Sequence, residues 1–465
     1  MTGQTNGQIS SLCLQTLFLF DENYNILPLL ATDWKADVAA KTIMLSLRQG
    51  VKFHDGTDFN ADACKWNLDQ YRSGTRTELS NVTNIEVVDN YTVRLSLSQF
   101  DNTIVYVLSS SFDAGRIISP TAYQKAGATD KDRTAWAEAN PVGTGSFQFV
   151  KWEKDVGITW KRFDGYWGGK PYLDQVNMVR IADQTSALMA FKTGDIDVFN
   201  PEPQAAKGLE AEGKYTMVIT PEGQIPALAG YALDPKSPFS DVRVRQALSY
   251  AIDTKKLTES FGLGYYKFQN QWAIPGSWGY NPNVVGYPYN PEKAKQLLTD
   301  AGYPNGLNTV LHFYNTGQGQ VDQSTAIQGY LKTAGINVTL DALQRAGFTD
   351  IAGLGKGWNG IARVQGFSAP DPLLRWASVV GGQNFKGVIL PDELLETYKQ
   401  AVAAPDFATK QQLVWKLESL ATDKYCILTF LNMESAPIFK SKRIHDDMYG
   451  FVPSRWLSPA TWVDK

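Results

Sequence analysis

The chain has 465 residues, of which 43% are apolar and 20% are charged, and its formal net charge at pH 7 is -3. This length exceeds what one hydrophobic core usually organises, so we expect two or more lobes. A weakly acidic chain without a basic stripe is not expected to bind nucleic acid. No apolar run approaches the roughly 18 residues that cross a bilayer, and no charged-then-apolar leader precedes Thr2.

Short alternating strands are predicted from about residue 33 to residue 140, for example over Ile43–Leu47, with Asp-Gly and Asp-Asn turns between them. From 176 to 198 the pattern changes to strand, helix and strand. Asp183 is placed to begin this helix and Gly194 to end it. We interpret this segment as a βαβ unit.

The second half of the chain repeats the same pattern over residues 309–343. Helices with an apolar stripe are predicted after Ser240 or Asp241, from Pro291, and around 413–421. Strands that alternate with helices of this length are typical of α/β architecture, so the sequence predicts two α/β lobes.

Several motifs follow one another along the chain. They are LRQGVKFHDGT at 47–57, GTGSF at 143–147, FDGYWGGKPYLD at 163–174, KTGDID at 192–197 and FSDVRVRQALSYAID at 239–253. In this order they resemble the family 5 extracellular solute-binding proteins, the receptors of peptide, nickel and related ABC importers. The resemblance spans nearly the whole chain. It implies an α/β, two-lobed periplasmic-binding-protein-like fold (type II, cluster C) with an extra subdomain inserted in the first lobe.

The resemblance also implies the division of the chain. The first lobe would comprise 1–32, 141–225 and 436–465, the inserted subdomain 33–140, and the second lobe 226–435. Two extended, uncharged runs are assigned as hinge strands, near 226–233 and near 427–435. Hinges of this kind absorb the backbone rotation when two lobes close on a ligand.

A protein of this family captures a small solute and passes it to ABC permease subunits in the membrane. The resemblance therefore implies a monomer at the periplasmic or extracellular face of the cell membrane, whose signal segment and lipid-anchoring cysteine have been removed. No cofactor is expected. An odd number of cysteines (Cys13, Cys64 and Cys426) leaves at least one thiol free, and we expect all three to be buried structural residues.

The identity of the solute depends on one tract. In peptide-binding relatives, a sequence like Gly-Ala-Asp-Tyr-Pro-Asp-Pro supplies an aspartate for the ammonium group of the ligand. The chain has GFSAPDP at 366–372, which puts Ser368 in the place of that aspartate. A neutral hydroxyl compensates poorly for the desolvation of an ammonium ion. The arginine that dipeptide receptors supply for the ligand carboxylate also has no counterpart at 315–319, although Arg345 or Arg363 could replace it.

We therefore predict a neutral or non-peptide solute, such as a glycoside, a modified peptide or an aromatic compound, and keep a plain oligopeptide or dipeptide receptor as the alternative. The residues predicted to contact the solute, by family position, combine aromatic rings with amide and hydroxyl groups. They are Ser110, Phe112, Trp272, Trp278, Gln365, Phe367, Ser368, Asp371, Asn384 and Asn432. Asp371 lies between two prolines, where aspartate is also typical of a turn.

An enzyme is the main alternative of another class. The three histidines, His54, His312 and His445, are isolated in the sequence, and no zinc-protease, nucleophile-elbow or phosphate-loop motif occurs. A glycosidase would need two facing carboxylates, for which Asp371 and Glu434 are one arbitrary pair. No metal site is expected, although a metal inside an organic chelate would need few protein ligands. A sensory or chaperone-like protein with the same fold would have the same sequence features.

Overall fold

The computed structural model describes residues 10–21, 25–74, 78–109, 113–219, 223–369, 371–382, 385–435, 437–448 and 457–464. The chain forms two compact units. The first comprises Met1–Pro221 and Pro437–Lys465, and the second comprises Glu222–Ala436. Within the described ranges, we find no helix with both the length and the apolar character that a membrane span requires.

The strands are numbered in chain order. They are β1 Phe18–Phe20, β2 Ile26–Pro28, β3 Ala31–Asp37, β4 Thr42–Leu47, β5 Val82–Asp89, β6 Thr92–Leu97, β7 Phe147–Glu153, β8 Gly157–Arg162, β9 Gln175–Val179, β10 Val198–Phe199, β11 Thr216–Ile219, β12 Gln224–Gly230, β13 Leu307–Tyr314, β14 Ile336–Leu343, β15 Ile361–Phe367, β16 Thr429–Phe430, β17 Pro437–Lys440, β18 Ile444–His445 and β19 Trp462–Val463.

The helices are Ala61–Arg72, Ile104–Val107, Pro120–Lys125, Asp130–Ala139, Gln184–Thr193, Pro203–Glu212, Val242–Tyr250, Thr254–Gly262, Pro291–Asp300, Gln318–Thr333, Arg345–Phe348, Pro372–Val380, Asp392–Val402 and Phe407–Ser419. Several begin where the sequence indicates a cap. The side chains of Asp183, Asp241 and Asn290 each accept a hydrogen bond from a backbone N–H of the first turn.

The first unit contains a four-stranded antiparallel sheet in the order β3-β4-β6-β5 and two three-stranded sheets, β7-β8-β9 and β10-β17-β11. The βαβ interpretation of 176–198 is therefore wrong, although its strand, helix and strand are all present. β9 pairs with β8, whereas β10 pairs with β17 from the C-terminal part of the chain. A local pattern indicates the elements but carries no information about a partner that is more than 200 residues away.

The motifs of the first unit meet around His54, which supports the backbone of the glycine-rich motif. The His54 Nε2 lies 2.9 Å from the carbonyl oxygen of Gly145, and the Gly143 N–H points to Nδ1 at 3.4 Å. Burial lowers the pKa of His54 to about 4, so the ring is neutral at pH 7 and Nε2 donates. Both glycines approach the chain closely, since an added Cβ would lie 2.1 Å from the Cys13 carbonyl oxygen at Gly143. His54 thus has a structural role in the first unit.

A buried glutamine links the other motifs of the first unit. The amide nitrogen of Gln15 donates to the Tyr166 hydroxyl at 2.9 Å. Its amide oxygen accepts from the Thr144 hydroxyl at 3.0 Å and from the Trp167 indole at 2.9 Å. The Arg48 guanidinium lies 4.3 Å from the centre of a Trp167 ring. The motif residues that resemble the family therefore stabilise the fold of the first unit.

The second unit is built on a five-stranded sheet in the order β14-β13-β15-β12-β16. β13, the helix Gln318–Thr333 and β14 form the predicted βαβ unit, with the two strands parallel from Leu307↔Ile336 to Tyr314↔Leu343. An apolar core packs one face of this sheet against the surrounding helices, through residues such as Leu248, Leu298 and Ile327. Both predicted hinge runs lie in this unit, where β12 pairs with β16.

The three cysteines are free and buried, as predicted. Desolvation raises the pKa of the Cys13 and Cys64 thiols to about 12 and that of Cys426 to about 11. A thiol with such a pKa is protonated at pH 7 and unreactive, which agrees with a packing role.

Candidate ligand site at the strand ends of the second unit

Three strands of the second unit end at the same edge of the sheet. β15 is parallel to β13 and antiparallel to β12, and β16 is also antiparallel to β12. The carboxyl ends of β13, β15 and β16 therefore lie beside the amino end of β12, near Gln224. In open α/β sheets, ligands bind beyond the carboxyl ends of the strands. Ser368 follows β15 directly and Asn432 follows β16 by two residues, so two of the predicted residues lie at this edge.

Ser368 forms a closed pair with Gly223. The Ser368 N–H donates to the Gly223 carbonyl oxygen at 2.9 Å, and the Gly223 N–H donates to the Ser368 hydroxyl oxygen at 3.0 Å. An added Cβ at Gly223 would lie 2.6 Å from the Glu434 carbonyl oxygen, so the close approach of the backbone requires glycine. The Ser368 side chain is 1% exposed. Its hydroxyl oxygen therefore already serves a backbone donor of the protein.

Asn432 lies in a β-bulge. Leu431 donates its N–H to the Pro226 carbonyl oxygen, whereas Glu434 pairs with Gln224. Three residues along this strand thus correspond to two along β12, and the extra residue falls at Asn432 and Met433. Bulges of this kind re-aim side chains and are common beside functional sites. Asn432 is fully buried, and neither atom of its side-chain amide has a hydrogen-bond partner among the residues that the structure describes.

The bulge also directs Glu434 towards Arg363. The Arg363 guanidinium donates to a Glu434 carboxylate oxygen at 3.1 Å and to the Gln323 amide oxygen at 2.7 Å. The side chains of Arg363 and Glu434 are 3% and 11% exposed. Burial raises the pKa of Glu434, and the positive charge of Arg363 opposes that effect. The charge of Arg363 is thus neutralised within the protein by Glu434. Of the two arginines predicted as partners for a solute carboxylate, the other, Arg345, is exposed.

Trp272 packs in the interior of the second unit. Its ring makes edge contacts with Phe385 and Phe430, at centroid distances of 5.9 and 5.1 Å, and is 1% exposed. It also lies against β15, since an added Cβ at Gly366 would be 2.8 Å from the Trp272 ring. The indole N–H has no hydrogen-bond partner within the described part of the chain. Trp272 therefore packs against the end of β15, near Ser368.

A buried carboxyl group holds the backbone of Trp272. One oxygen of Glu418 accepts from the Trp376 indole at 3.1 Å, and the other accepts from the Trp272 N–H at 3.4 Å. Glu418 is 0% exposed, and burial raises its pKa to about 7. Glu418 could not be identified from the sequence, because a single glutamate inside a helical pattern gives no signal of burial.

Asp371 and Trp278 meet at the same lysine. Asp371 is fully buried, caps the helix Pro372–Val380 by accepting from the Leu373 N–H at 3.0 Å, and forms an ion pair with Lys410. The Lys410 ammonium also lies 5.4 Å from the centre of a Trp278 ring. The two carboxylates of the glycosidase hypothesis thus have separate cations, Lys410 for Asp371 and Arg363 for Glu434.

The remaining predicted residues fall into two groups. Gln365 and Phe367 are half-buried on β15, and alternation along the strand places them on the face of Arg363. Ser110, Phe112 and Asn384 lie outside the described residues. Across the described chain, no group of three or more histidine, cysteine, aspartate or glutamate side chains is arranged to hold a metal ion.

Comparison with known proteins gives the family. The model of the bacterial extracellular solute-binding proteins, family 5 Middle, matches residues 25–378. The chain belongs to this family. Among its relatives, the glutathione-binding protein GsiB of Salmonella typhi is 33% identical over 377 residues, which is 78% of this chain and 70% of GsiB. The protein is thus an extracellular solute-binding receptor of an ABC importer, as the motif order predicts.

Two solved structures of binding proteins have the same fold. NikA from Brucella suis, in complex with Fe(III)-EDTA, has a TM-score of 0.86 at 21% identity and covers 98% of this chain and 95% of its own. DppA from Helicobacter pylori, in complex with the peptide STSA, has a TM-score of 0.85 at 22% identity, covering 100% and 95%. The α/β, two-lobed periplasmic-binding-protein-like fold predicted from the sequence is confirmed.

Proposed function

We propose that this family 5 receptor captures a neutral or non-peptide solute that lacks a free α-ammonium group, such as a glycoside, a modified peptide or an aromatic compound. The observation that carries the proposal is the Ser368–Gly223 pair. The hydroxyl that replaces the family aspartate is already engaged with the backbone. An ammonium ion at this position would lose its hydration without gaining an opposite charge.

The other carboxylates near this edge support the same solute class. Asp371 is paired with Lys410, and Glu434 is paired with Arg363. A solute ammonium would have to displace a buried cation from either carboxylate, which is costly in a low-dielectric environment. Of the predicted contacts, Trp278, Gln365, Phe367 and Asn432 bring aromatic and amide groups, which suit an uncharged solute. Trp272 packs in the interior instead.

A peptide-like solute is the second candidate, because the relatives at 33% identity are glutathione-binding proteins. A peptide can be held through its backbone amides alone, by strand-like pairing, with its terminus in trapped water. We further propose that the receptor is a monomer, that it is lipid-anchored in the cell, and that binding involves closure about the hinge runs near 226–233 and 427–435.

Native mass spectrometry of gently purified protein should identify a retained solute, and calorimetry should then compare that solute with unblocked di- to pentapeptides. We expect Ser368→Asp to weaken binding of the retained neutral solute about tenfold or more, because it buries an unpaired charge. Ser368→Asn is the matched control, because asparagine has nearly the same size as aspartate and carries no charge. Tight binding of unblocked peptides by the unmodified protein would refute the solute class and support the peptide receptor.

A further inference from the structure

The buried asparagines of the described chain differ in one respect. Asn281 donates to the Trp415 carbonyl oxygen and the Ser419 hydroxyl, both at 2.9 Å, and accepts from the Asn283 N–H. Asn67, also buried, is hydrogen-bonded through both amide atoms. Asn432 is 0% exposed, more deeply buried than either, and both its Oδ1 and its Nδ2 are without a partner in the described part of the chain.

Backbone flexibility does not explain why the Asn432 amide lacks partners among the described residues. The Met433 N–H donates to the Lys267 carbonyl oxygen at 2.7 Å, and the Lys267 N–H donates back at 3.0 Å. On either side, Leu431 and Glu434 are bonded to β12 at 3.0 and 2.7 Å. The backbone around Asn432 is therefore fixed, and its side-chain amide is held in place without a hydrogen bond to any residue in the described ranges.

Burying an amide without compensating hydrogen bonds destabilises a folded protein, and native proteins leave few such groups unexplained. Asn432 also follows Phe430, whose ring contacts Trp272, and alternation places the two side chains on the same face of the sheet. The amide thus lies at the strand edge, on the aromatic face of the sheet.

We propose that Asn432 recognises a group of the solute that presents a hydrogen-bond donor and an acceptor side by side. A carboxamide or peptide group and a pair of vicinal hydroxyls share this chemistry, because an asparagine amide offers one acceptor oxygen and two N–H donors. The proposal rests on the proposed solute-binding function and narrows it, since a purely aromatic solute without such a group is excluded.

The first test needs no solute. Asn432→Leu removes an amide that makes no hydrogen bond to any residue that the structure describes, so the melting temperature of the ligand-free variant should be unchanged or higher. Asn281→Leu, the matched control, removes an amide that is fully bonded and should lower the melting temperature by about 3 °C or more. If Asn432→Leu loses as much stability as Asn281→Leu, Asn432 is a structural residue and the proposal is wrong.

The second test measures binding by calorimetry with three probes. An N-acetylated, C-amidated dialanine peptide presents peptide groups without a free ammonium, sucrose presents vicinal hydroxyls, and benzoate presents neither. We expect the unmodified protein to bind the blocked peptide or sucrose, and Asn432→Leu to bind that probe about 30-fold more weakly or worse. Asn432→Asp, which keeps the size but replaces the N–H donors, should also lose affinity, whereas Asn281→Leu should retain it.

The outcomes separate this inference from the proposed function. Binding of the blocked peptide identifies the peptide group as the recognised chemistry, and binding of sucrose identifies the vicinal hydroxyls. Undiminished binding by Asn432→Leu, or binding of benzoate alone, would overturn the role of Asn432 and leave the receptor function intact. An unmodified protein that binds none of the probes and retains no solute in native mass spectrometry would contradict the proposed function, and this inference with it.

Discussion

Glu418 shows how one buried side chain can make stability depend on pH. Its carboxyl accepts hydrogen bonds from the N–H groups of Trp376 and Trp272, and burial raises its pKa from the ordinary 4.5 to about 7. The folded protein therefore binds this proton more tightly than the unfolded chain does. The contribution of Glu418 to stability is greatest below about pH 4.5 and falls as the pH rises through 7.

We expect Glu418→Gln to remove this dependence. At pH 8 the variant should be more stable than the unmodified protein by up to roughly 3 kcal/mol, and the gain should vanish near pH 4.5. Urea unfolding of both proteins at several pH values measures the difference. Glu393→Gln is the control, because exposed Glu393 is paired with Lys424 and its pKa is lowered, so its loss should not stabilise the protein at pH 8. A gain that is the same at pH 5 and pH 8 would refute the assignment.

The buried ion pair between Asp371 and Lys410 leads to a second prediction about single residues. Lys410→Met leaves a buried carboxylate without its cation and should lower the free energy of unfolding by about 3–5 kcal/mol. The double variant Asp371→Asn, Lys410→Met should recover at least half of that loss, because it leaves no unpaired charge. Lys424→Met, at the exposed pair with Glu393, should change the stability by less than about 1 kcal/mol. Chemical denaturation checks all three variants, and a double variant as unstable as Lys410→Met would refute the interpretation.

At the scale of elements, β15 depends on a glycine that admits Trp272. A methyl group at Gly366 would lie 2.8 Å from the Trp272 ring. We expect Gly366→Ala to lower stability by about 1–3 kcal/mol and to shift the tryptophan emission spectrum, because the ring has to move. Gly329→Ala lies within the helix Gln318–Thr333, where an added Cβ meets no atom within 4 Å. It should raise stability by about 0.5–1 kcal/mol.

The elements also show where sequence patterns succeed. The parallel pair β13 and β14 with its connecting helix follows the local alternation, because a short crossover leaves a parallel pairing as the simple solution. The corresponding pattern at 176–198 gives the elements but not the sheet, since β10 pairs with the distant β17. Pairing between remote strands depends on the whole topology rather than on local periodicity.

The site residues divide in the same way. Ser368 could be located from the sequence because it replaces a charged residue in a recognisable tract. The pairing of Glu434 with Arg363 and Gln323 could not, because it arises from a bulge that adds one residue opposite β12. Nor does the sequence distinguish the unpartnered amide of Asn432 from the fully bonded amide of Asn281. That distinction depends on three-dimensional contacts alone.

At the scale of the whole molecule, we expect solute binding to make the protein more compact and more stable. Receptors that close about hinge strands exclude solvent around the ligand, so the radius of gyration in small-angle scattering should decrease. Saturation at 100 times the dissociation constant should add about 2.7 kcal/mol to the free energy of unfolding. Light scattering should give the mass of a monomer. A saturated complex with an unchanged radius of gyration would contradict closure.

The bulge at Asn432 and Met433 has a consequence for how receptors of this kind can diverge. Because side chains alternate along a strand, deleting Met433 would restore the regular register and make Asn432 and Glu434 neighbours on opposite faces, with Glu434 still opposite Gln224. The Arg363 guanidinium would therefore keep its carboxylate. Related receptors with and without the bulge would share the same neutralised arginine, so a one-residue gap at this point in a related sequence would not indicate an anionic cargo.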